Sequence, residues 1–253
     1  MITIKTKKEI EIMREGGRRL AVVLREVAGE VRAGMSKIEI DRMAENLISA
    51  GGDTPAFKNY KPFGARRAFP SVLCVSVNDE IVHGIPNGYR LREGDIVGLD
   101  LGIKHGGLYT DMAVTVGVGK ISSVDKKLID VTRESLEAGI AAAVGGGTTG
   151  DIGYAIESAV KPYNYGIVRE LSGHGVGKKL HEDPYVPNYG KRGSGAKLTP
   201  GMVIAIEPMI NRGEDEIVLA EDNFTYKTRD GSRSAHFEKT ILITSGKPEV
   251  LTP

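Results

Sequence analysis

A mixed α/β fold built from two related halves is what this sequence predicts, and three observations carry that expectation. Two helical segments followed by a run of strand-like segments occur in that order twice, with the halves meeting near residues 120 and 121. The stretch "LREGDIVGLDLGI" (91–103) aligns without gaps on "LTPGMVIAIEPMI" (198–210), which sets Leu91 on Leu198, Gly94 on Gly201, Asp100 on Glu207 and Ile103 on Ile210. "YTDMAVTVG" aligns on "HFEKTILIT", setting Asp111 on Glu238, and "VHGI" at His83 resembles "GHGV" at His174. Matches in one order, each carrying a polar residue onto a polar one, predict an internal duplication within a single domain, 1–253.

The elements follow in turn. A capping box, Thr6-x-x-Glu9, precedes Ile10, Met13, Leu20, Val23, Leu24, Val27 and Val31 at helical spacing, which predicts an amphipathic helix interrupted at Gly16-Gly17. A second box, Ser36-x-x-Glu39, opens a helix carrying Ile40, Met43, Ala44, Leu47 and Ile48. Residues 51–70, rich in Gly, Pro and Arg, read as an ordered loop, after which "SVLCVSVN", "GDIVGLDLGI" and "LYTDMAVTVGVG" read as strands. In the second half, Ser122 opens a helix that Gly145 to Gly147 stop, and "TTGDIGYAIESAV" begins the next. "AVGGGTTG" lacks the Gly-Lys-Ser/Thr ending of a phosphate loop and follows a helix, so it reads as a helix stop.

Composition narrows the function. The chain of 253 residues has a formal net charge of +1, which gives no electrostatic reason for direct nucleic-acid binding or a polybasic membrane anchor. It has no apolar run long enough to span a bilayer and no signal-peptide pattern, so a cytoplasmic location is expected. One cysteine, Cys74, permits no internal disulfide and no Cys-rich zinc site. A bound metal must therefore use His, Asp and Glu.

The chemistry starts at Asp100 and Asp111, one on each arm of a predicted hairpin turning at Gly106-Gly107. A buried carboxylate without a partner costs several kcal/mol. Strand alternation puts Asp100 on the face of Ile96, Gly98 and Gly102, and Asp111 on the face of Ala113 and Thr115, leaving space in front of both acids. The duplication brings Glu207 and Glu238 to match, and four like charges in one pocket require cations. An Arg or Lys partner is the ordinary answer for one acid. Here Lys239 is the one base beside an acid on these strands, and it alternates onto the opposite face. A carboxylate-rich site with one imidazole suits a pair of divalent ions such as Mn, Fe, Co or Zn. Among five histidines, His174 lies between glycines that allow close approach, His181 follows seven residues on, His105 sits in the hairpin turn, and His236 shares the face of Glu238.

The ordered set His83, Asp100, Asp111, His174, His181, Glu207 and Glu238, together with "VHGIP", "GDIVGLDLG", "LYTDMA", "SGHGVG", "IEPM" and "FEKTI", resembles the type I methionine aminopeptidases, over nearly the whole chain. The resemblance implies a pita-bread α/β fold: a curved antiparallel sheet with pseudo-two-fold symmetry and helices on its outer face. It implies a monomer that removes the initiator methionine from nascent polypeptides with a small second residue, near the ribosome, through water or hydroxide activated by two divalent ions. Carried over, Asp100 holds one metal, His174 and Glu207 the other, and Asp111 and Glu238 bridge both. Glu207 also acts as general base, His181 stabilises the carbonyl oxygen, and His83 contacts the substrate near the leaving nitrogen. The methionine pocket maps onto Phe69, Cys74, Leu180 and Phe224, where relatives more often have Tyr, Cys, Phe and Trp. His236 stands where relatives usually carry glutamine. Asn78 and Ser234 match positions that hold a monovalent cation in some relatives. Residues 58–68, longer and more basic than the usual loop, are expected to cover the pocket mouth. The alternatives are an Xaa-Pro peptidase, which normally carries a large N-terminal domain, and a non-catalytic binding module that has lost the metal.

Overall fold

The structure is a computed structural model that describes residues 2–61 and 66–253. Four α-helices start where the sequence places their caps. Helix α1 (Lys7–Glu30) begins with a capping box at Thr6 and Glu9, and α2 (Lys37–Ala50) with one at Ser36 and Glu39. Ser122 caps α3 (Ser123–Ala142), and Thr148 with Asp151 closes a third box on α4 (Thr149–Val160). Each box satisfies backbone N–H groups that the first helical turn leaves unpaired.

The expected interruption at Gly16-Gly17 does not occur; α1 runs through both residues. Packing explains the pair. A Cβ at Gly17 would lie 2.1 Å from the Leu251 carbonyl oxygen, and one at Gly16 would meet the His105 Cβ at 3.0 Å. The glycines cost the helix about 1 kcal/mol each relative to alanine, and in return let the C-terminal segment and the hairpin end press against it.

The hairpin forms as read. Ile96–His105 and Leu108–Gly117 pair along their whole length, and Gly106 and Gly107, with φ of 54° and 89°, supply the two-residue turn. The hairpin is the centre of the first half of a nine-stranded sheet ordered Thr54–Pro55, Ile96–His105, Leu108–Gly117, Glu238–Leu242, Val203–Ile206, Gly173–Gly175 and Glu182–Val186. Leu73–Val77 also pairs with Ile96–His105, and Glu249–Val250 with Glu238–Leu242. Every pairing is antiparallel. The two halves join at Glu238↔Ala113 and Lys239↔Met112.

One face of this sheet is covered by helices. Leu99, Leu101 and Met112 pack with Leu20, Leu24, Ile40 and Ile48 of α1 and α2. Ile204, Ile206 and Ile241 pack with Leu128, Leu136, Ile152 and Ile156 of α3 and α4. Since side chains alternate along a strand, Asp100, Asp111 and Glu238 project from the other face.

The duplication extends to individual hydrogen bonds. Gly34, ahead of α2, donates to the Leu91 carbonyl, and Gly146, ahead of α4, donates to that of Leu198, both at 2.8 Å. The caps Ser36 and Thr148 bridge Arg90 and Lys197. Gly94 and Gly201, aligned in the sequence, have φ of 90° and 92° and donate to Val118 and Ile243, each at 2.9 Å. Among the described residues no helix is long and apolar enough to cross a membrane.

Candidate metal centre and substrate pocket

Register decides how the acids meet. Asp100 is paired with Ala113, and Ala113 with Glu238, so the small alanine stands between two carboxylates on one line across three strands. Asp111 lies opposite Gly102, on the same face and displaced toward the turn. Thr240, on the neighbouring strand, fixes Asp111: its hydroxyl accepts from the Asp111 N–H at 2.9 Å and donates to the Asp111 carbonyl at 2.7 Å. Lys239 faces the helix side, where Nζ donates to the Thr252 carbonyl, and so leaves the acids unneutralised.

His174 enters from the Gly173–Gly175 strand, and both glycines are needed for the approach. A Cβ at Gly173 would lie 2.3 Å from the Ala205 oxygen, and one at Gly175 2.1 Å from the Asp183 oxygen. Asp111, His174 and Glu238 are buried, and each offers a ligand atom within 4.8 Å of the others. Glu207 follows the Val203–Ile206 strand and places Oε1 3.5 Å from His174 Nε2.

The imidazole's orientation tests whether this set suits a metal. His174 Nδ1 lies 2.9 Å from the Gly175 carbonyl, an acceptor, so Nδ1 carries the proton and Nε2 keeps its lone pair. Burial holds the His174 pKa down to about 3, so the ring is neutral. Its lone pair therefore faces the Glu207 carboxyl oxygen, and the ring itself supplies no proton between them. Asp100 Oδ1 and Glu238 Oε1 are buried and have no hydrogen-bond partner among the described residues. Acceptors that converge without donors fit a divalent cation set of one nitrogen and several oxygens.

Electrostatics agree. Burial first, then the charge of Asp111, pushes Asp100 well above the ordinary carboxylate range. Burial raises Asp111 to about 7. Glu207 and Glu238 are raised well above theirs by burial and then by neighbouring acids. The histidines move the other way: burial lowers His83 to about 4, His236 to about 3, and His181 in the same direction.

These shifts set the pH profile of the metal-free protein. A carboxylate with a raised folded pKa stays protonated in the native state while the unfolded chain ionises, so stability falls as pH rises through the folded value. A histidine with a depressed folded pKa does the opposite, costing stability as pH falls below its ordinary value of 6.5. Below pH 6.5 the two sets oppose each other; above it the carboxylates act alone, so metal-free stability is expected to drop between pH 6.5 and 8, by on the order of 1 to 2 kcal/mol for each carboxylate still protonated at neutrality. Urea melts of chelator-treated protein check this; a plateau from pH 6.5 to 8 contradicts it.

The acids form the floor of a cavity of about 960 Å³ lined also by His83, His174 and His181. Phe69, Cys74, Leu180 and Phe224 come together as one apolar cluster on its wall. Phe69 meets Phe224 edge-on at 5.4 Å between ring centres, within the set that the family resemblance implies for a side-chain pocket. His83 is held at a φ of 58°, and the glycine after it is required, since a Cβ on Gly84 would lie 2.3 Å from the Val75 oxygen. His236 is buried and sits 3.8 Å from Glu207 Oε2 through Nε2. His105 lies away from the cavity, at the hairpin end, 2.7 Å from Asp53.

Asn78 and Ser234 are in contact, the Ser234 N–H donating to the Asn78 carbonyl at 2.9 Å. The Asn78 side chain accepts from Ile96 N–H and donates to Asp95. Of the 58–68 loop, residues 62–65 lie outside the described residues. Arg67 is seated over the Phe224 ring and donates to the Asp222 carbonyl at 3.0 Å. Phe57 and Tyr60, both on this wall, have no assignment from the sequence. Their signal was available in "AFKNY", aromatics entering a loop already expected at the mouth.

A buried cluster of carboxylates and imidazole beside an apolar wall, on a duplicated α/β fold, is the arrangement of a metal-dependent peptidase. The chain matches the model of metallopeptidase family M24 over residues 11–245 and belongs to that family. It is 45% identical to methionine aminopeptidase 1 of Bacillus subtilis, covering 100% of this chain and 99% of that one. It is 43% identical to the methionine aminopeptidase of Clostridium perfringens with the same coverage. The structure superposes on the methionine aminopeptidase of Thermotoga maritima with a TM-score of 0.94 at 43% identity, covering 100% of this chain and 99% of that one. Against the prolidase of Pyrococcus furiosus the TM-score is 0.79 at 25% identity, and the match spans 65% of that chain.

Proposed function

We propose that this chain is a single catalytic domain that removes the N-terminal methionine from new polypeptides with a small second residue. Two divalent ions, held by Asp100, Asp111, His174, Glu207 and Glu238, would serve it. The observation that carries this reading is the Nε2 lone pair of His174 facing the Glu207 carboxylate at the floor of an apolar cavity. Full-length similarity to methionine aminopeptidases supports the substrate. We further propose a cytoplasmic monomer acting close to the ribosome, with a monovalent cation at Asn78 and Ser234.

Bound divalent ions would supply Lewis-acid polarisation of the scissile carbonyl and lower the pKa of the attacking water. The protein's own groups do the rest. Phe69, Cys74, Leu180 and Phe224 enclose the unbranched methionine thioether, which suits a wall of aromatic and aliphatic groups. Glu207 takes the proton of the attacking water and passes it to the leaving nitrogen, near which His83 binds the peptide. His181 donates from Nε2 to the carbonyl oxygen as negative charge develops there. Burial keeps the imidazoles neutral, so each has one proton to give and one lone pair to offer.

Peptide competition tests the reading. Enzyme reconstituted with one metal at a time should release free methionine from Met-Ala-Ser at least about 100-fold more efficiently than it cleaves Ala-Pro, a difference of ~3 kcal/mol in transition-state binding. The reverse preference assigns the chain to Xaa-Pro peptidases, and no cleavage of either with every metal leaves a binding module.

A further inference from the structure

Tyr60 and His181 are 121 residues apart in the chain, yet the Tyr60 Oη lies 2.7 Å from His181 Nδ1. Their rings also pack, with centres 5.2 Å apart and planes inclined at 59°. Tyr60 is itself held: its N–H donates to the Phe57 carbonyl and its carbonyl accepts from Phe69 N–H, both at 2.8 Å. Both residues line the cavity, and the His181 ring stands edge-on to His174 at 4.4 Å.

A neutral imidazole carries one proton, and the partner of one nitrogen determines which nitrogen has it. With the proton on Nδ1, His181 would present a lone pair at Nε2, which repels a carbonyl oxygen. With the phenol donating to Nδ1, the proton is confined to Nε2, where it can be given to that oxygen. Tyr60 engages Nδ1 of His181, which leaves Nε2 as the ring atom to meet the carbonyl oxygen.

The geometry points to Tyr60 as a positioning residue whose hydroxyl donates to His181 Nδ1 and so fixes the tautomer and plane of the ring that receives the carbonyl oxygen. This rests on the reading of His181 as the donor to that oxygen. It gives Tyr60 a role separate from the apolar wall, because the ring packs while the hydroxyl acts on His181.

The test is Tyr60→Phe, which keeps the ring and removes one oxygen. In the zinc- or cobalt-loaded enzyme, kcat on Met-Ala-Ser should fall about tenfold or more, within the range found when a group orienting another is lost. KM should stay within about twofold. In a His181→Ala background, Tyr60→Phe should change kcat no further. In the zinc form, 15N resonances of the wild-type His181 ring should show Nε2 protonated and Nδ1 not, and Tyr60→Phe should mix the two states. Unchanged kcat, a rise in KM alone, an equal loss in the His181→Ala background, or protonated Nδ1 in the wild type each overturns the assignment. If the wild type releases no methionine, the proposed function fails, and the 15N pattern alone decides the tautomer.

Discussion

Asp111→Asn is expected to lower kcat/KM on a methionyl peptide by at least about 10³-fold, equivalent to more than ~4 kcal/mol of transition-state stabilisation. The same change should make the metal-free protein more stable. Asp111 belongs to the buried group with His174 and Glu238, and its charge raises the pKa values of Asp100, Glu207 and Glu238. Asparagine is nearly isosteric and its oxygen can still accept the Met112 N–H, so the strand loses no hydrogen bond. What it removes is one negative charge among four acids, which relieves repulsion when no cation is present and weakens the cation's site when one is. With divalent ion at 100 times its Kd, wild-type stability should rise by about 2.7 kcal/mol, while the variant should gain little at the same concentration. Melting curves with and without metal check both halves of the prediction. A variant less stable than wild type in chelator would show that Asp111 is held by contacts outweighing the repulsion.

Gly175→Ala is expected to be strongly destabilising and to disturb the metal centre as well. The added Cβ would lie 2.1 Å from the Asp183 oxygen, 2.7 Å from its carbonyl carbon and 3.1 Å from the Glu182 oxygen, all backbone atoms that cannot swing aside. Relief requires the Gly173–Gly175 strand to separate from Glu182–Val186, and that displaces the Gly175 carbonyl that fixes His174 Nδ1. The expected loss is about 3 kcal/mol or more, at the upper end for overpacking, with metal affinity lost alongside stability. Gly29→Ala is the control: nothing lies within 4 Å of the new Cβ, and the site is within α1, so it should be neutral or stabilising by up to ~1 kcal/mol. Chemical denaturation of both variants, compared with wild type, decides the matter. Equal stabilities would mean the strands accommodate the methyl.

The sequence revealed most where a local rule and the duplication agreed. Capping boxes at Thr6 and Ser36 mark their helices because a side chain three residues from its partner closes the first turn without help from the rest of the chain. The hairpin and the shared face of Asp100 and Asp111 follow from alternation and a Gly-Gly turn, which are likewise local. What stayed hidden depends on contacts between distant segments. Gly16-Gly17 read as a break because helix propensity is local, whereas the reason for those glycines, the Leu251 backbone, arrives from the other end of the chain. Nothing near Tyr60 announces that its hydroxyl meets His181, 121 residues further along the chain. Phe57 went unassigned because an aromatic before a loop is equally suited to ordinary core, and only the wall formed with Phe69 and Phe224 distinguishes it.

As proposed above, the four acids and His174 make one divalent-metal centre on which removal of an N-terminal methionine depends. The most direct measurement is a stepwise titration of Mn or Co into metal-free protein, following free methionine released from Met-Ala-Ser at each addition. No release is expected before metal is added, then release that rises with occupancy and levels off at saturation, and no such rise for Asp111→Asn. Release by the metal-free protein at the rate of the loaded one, or a saturated site that releases nothing with any divalent ion tested, would contradict it.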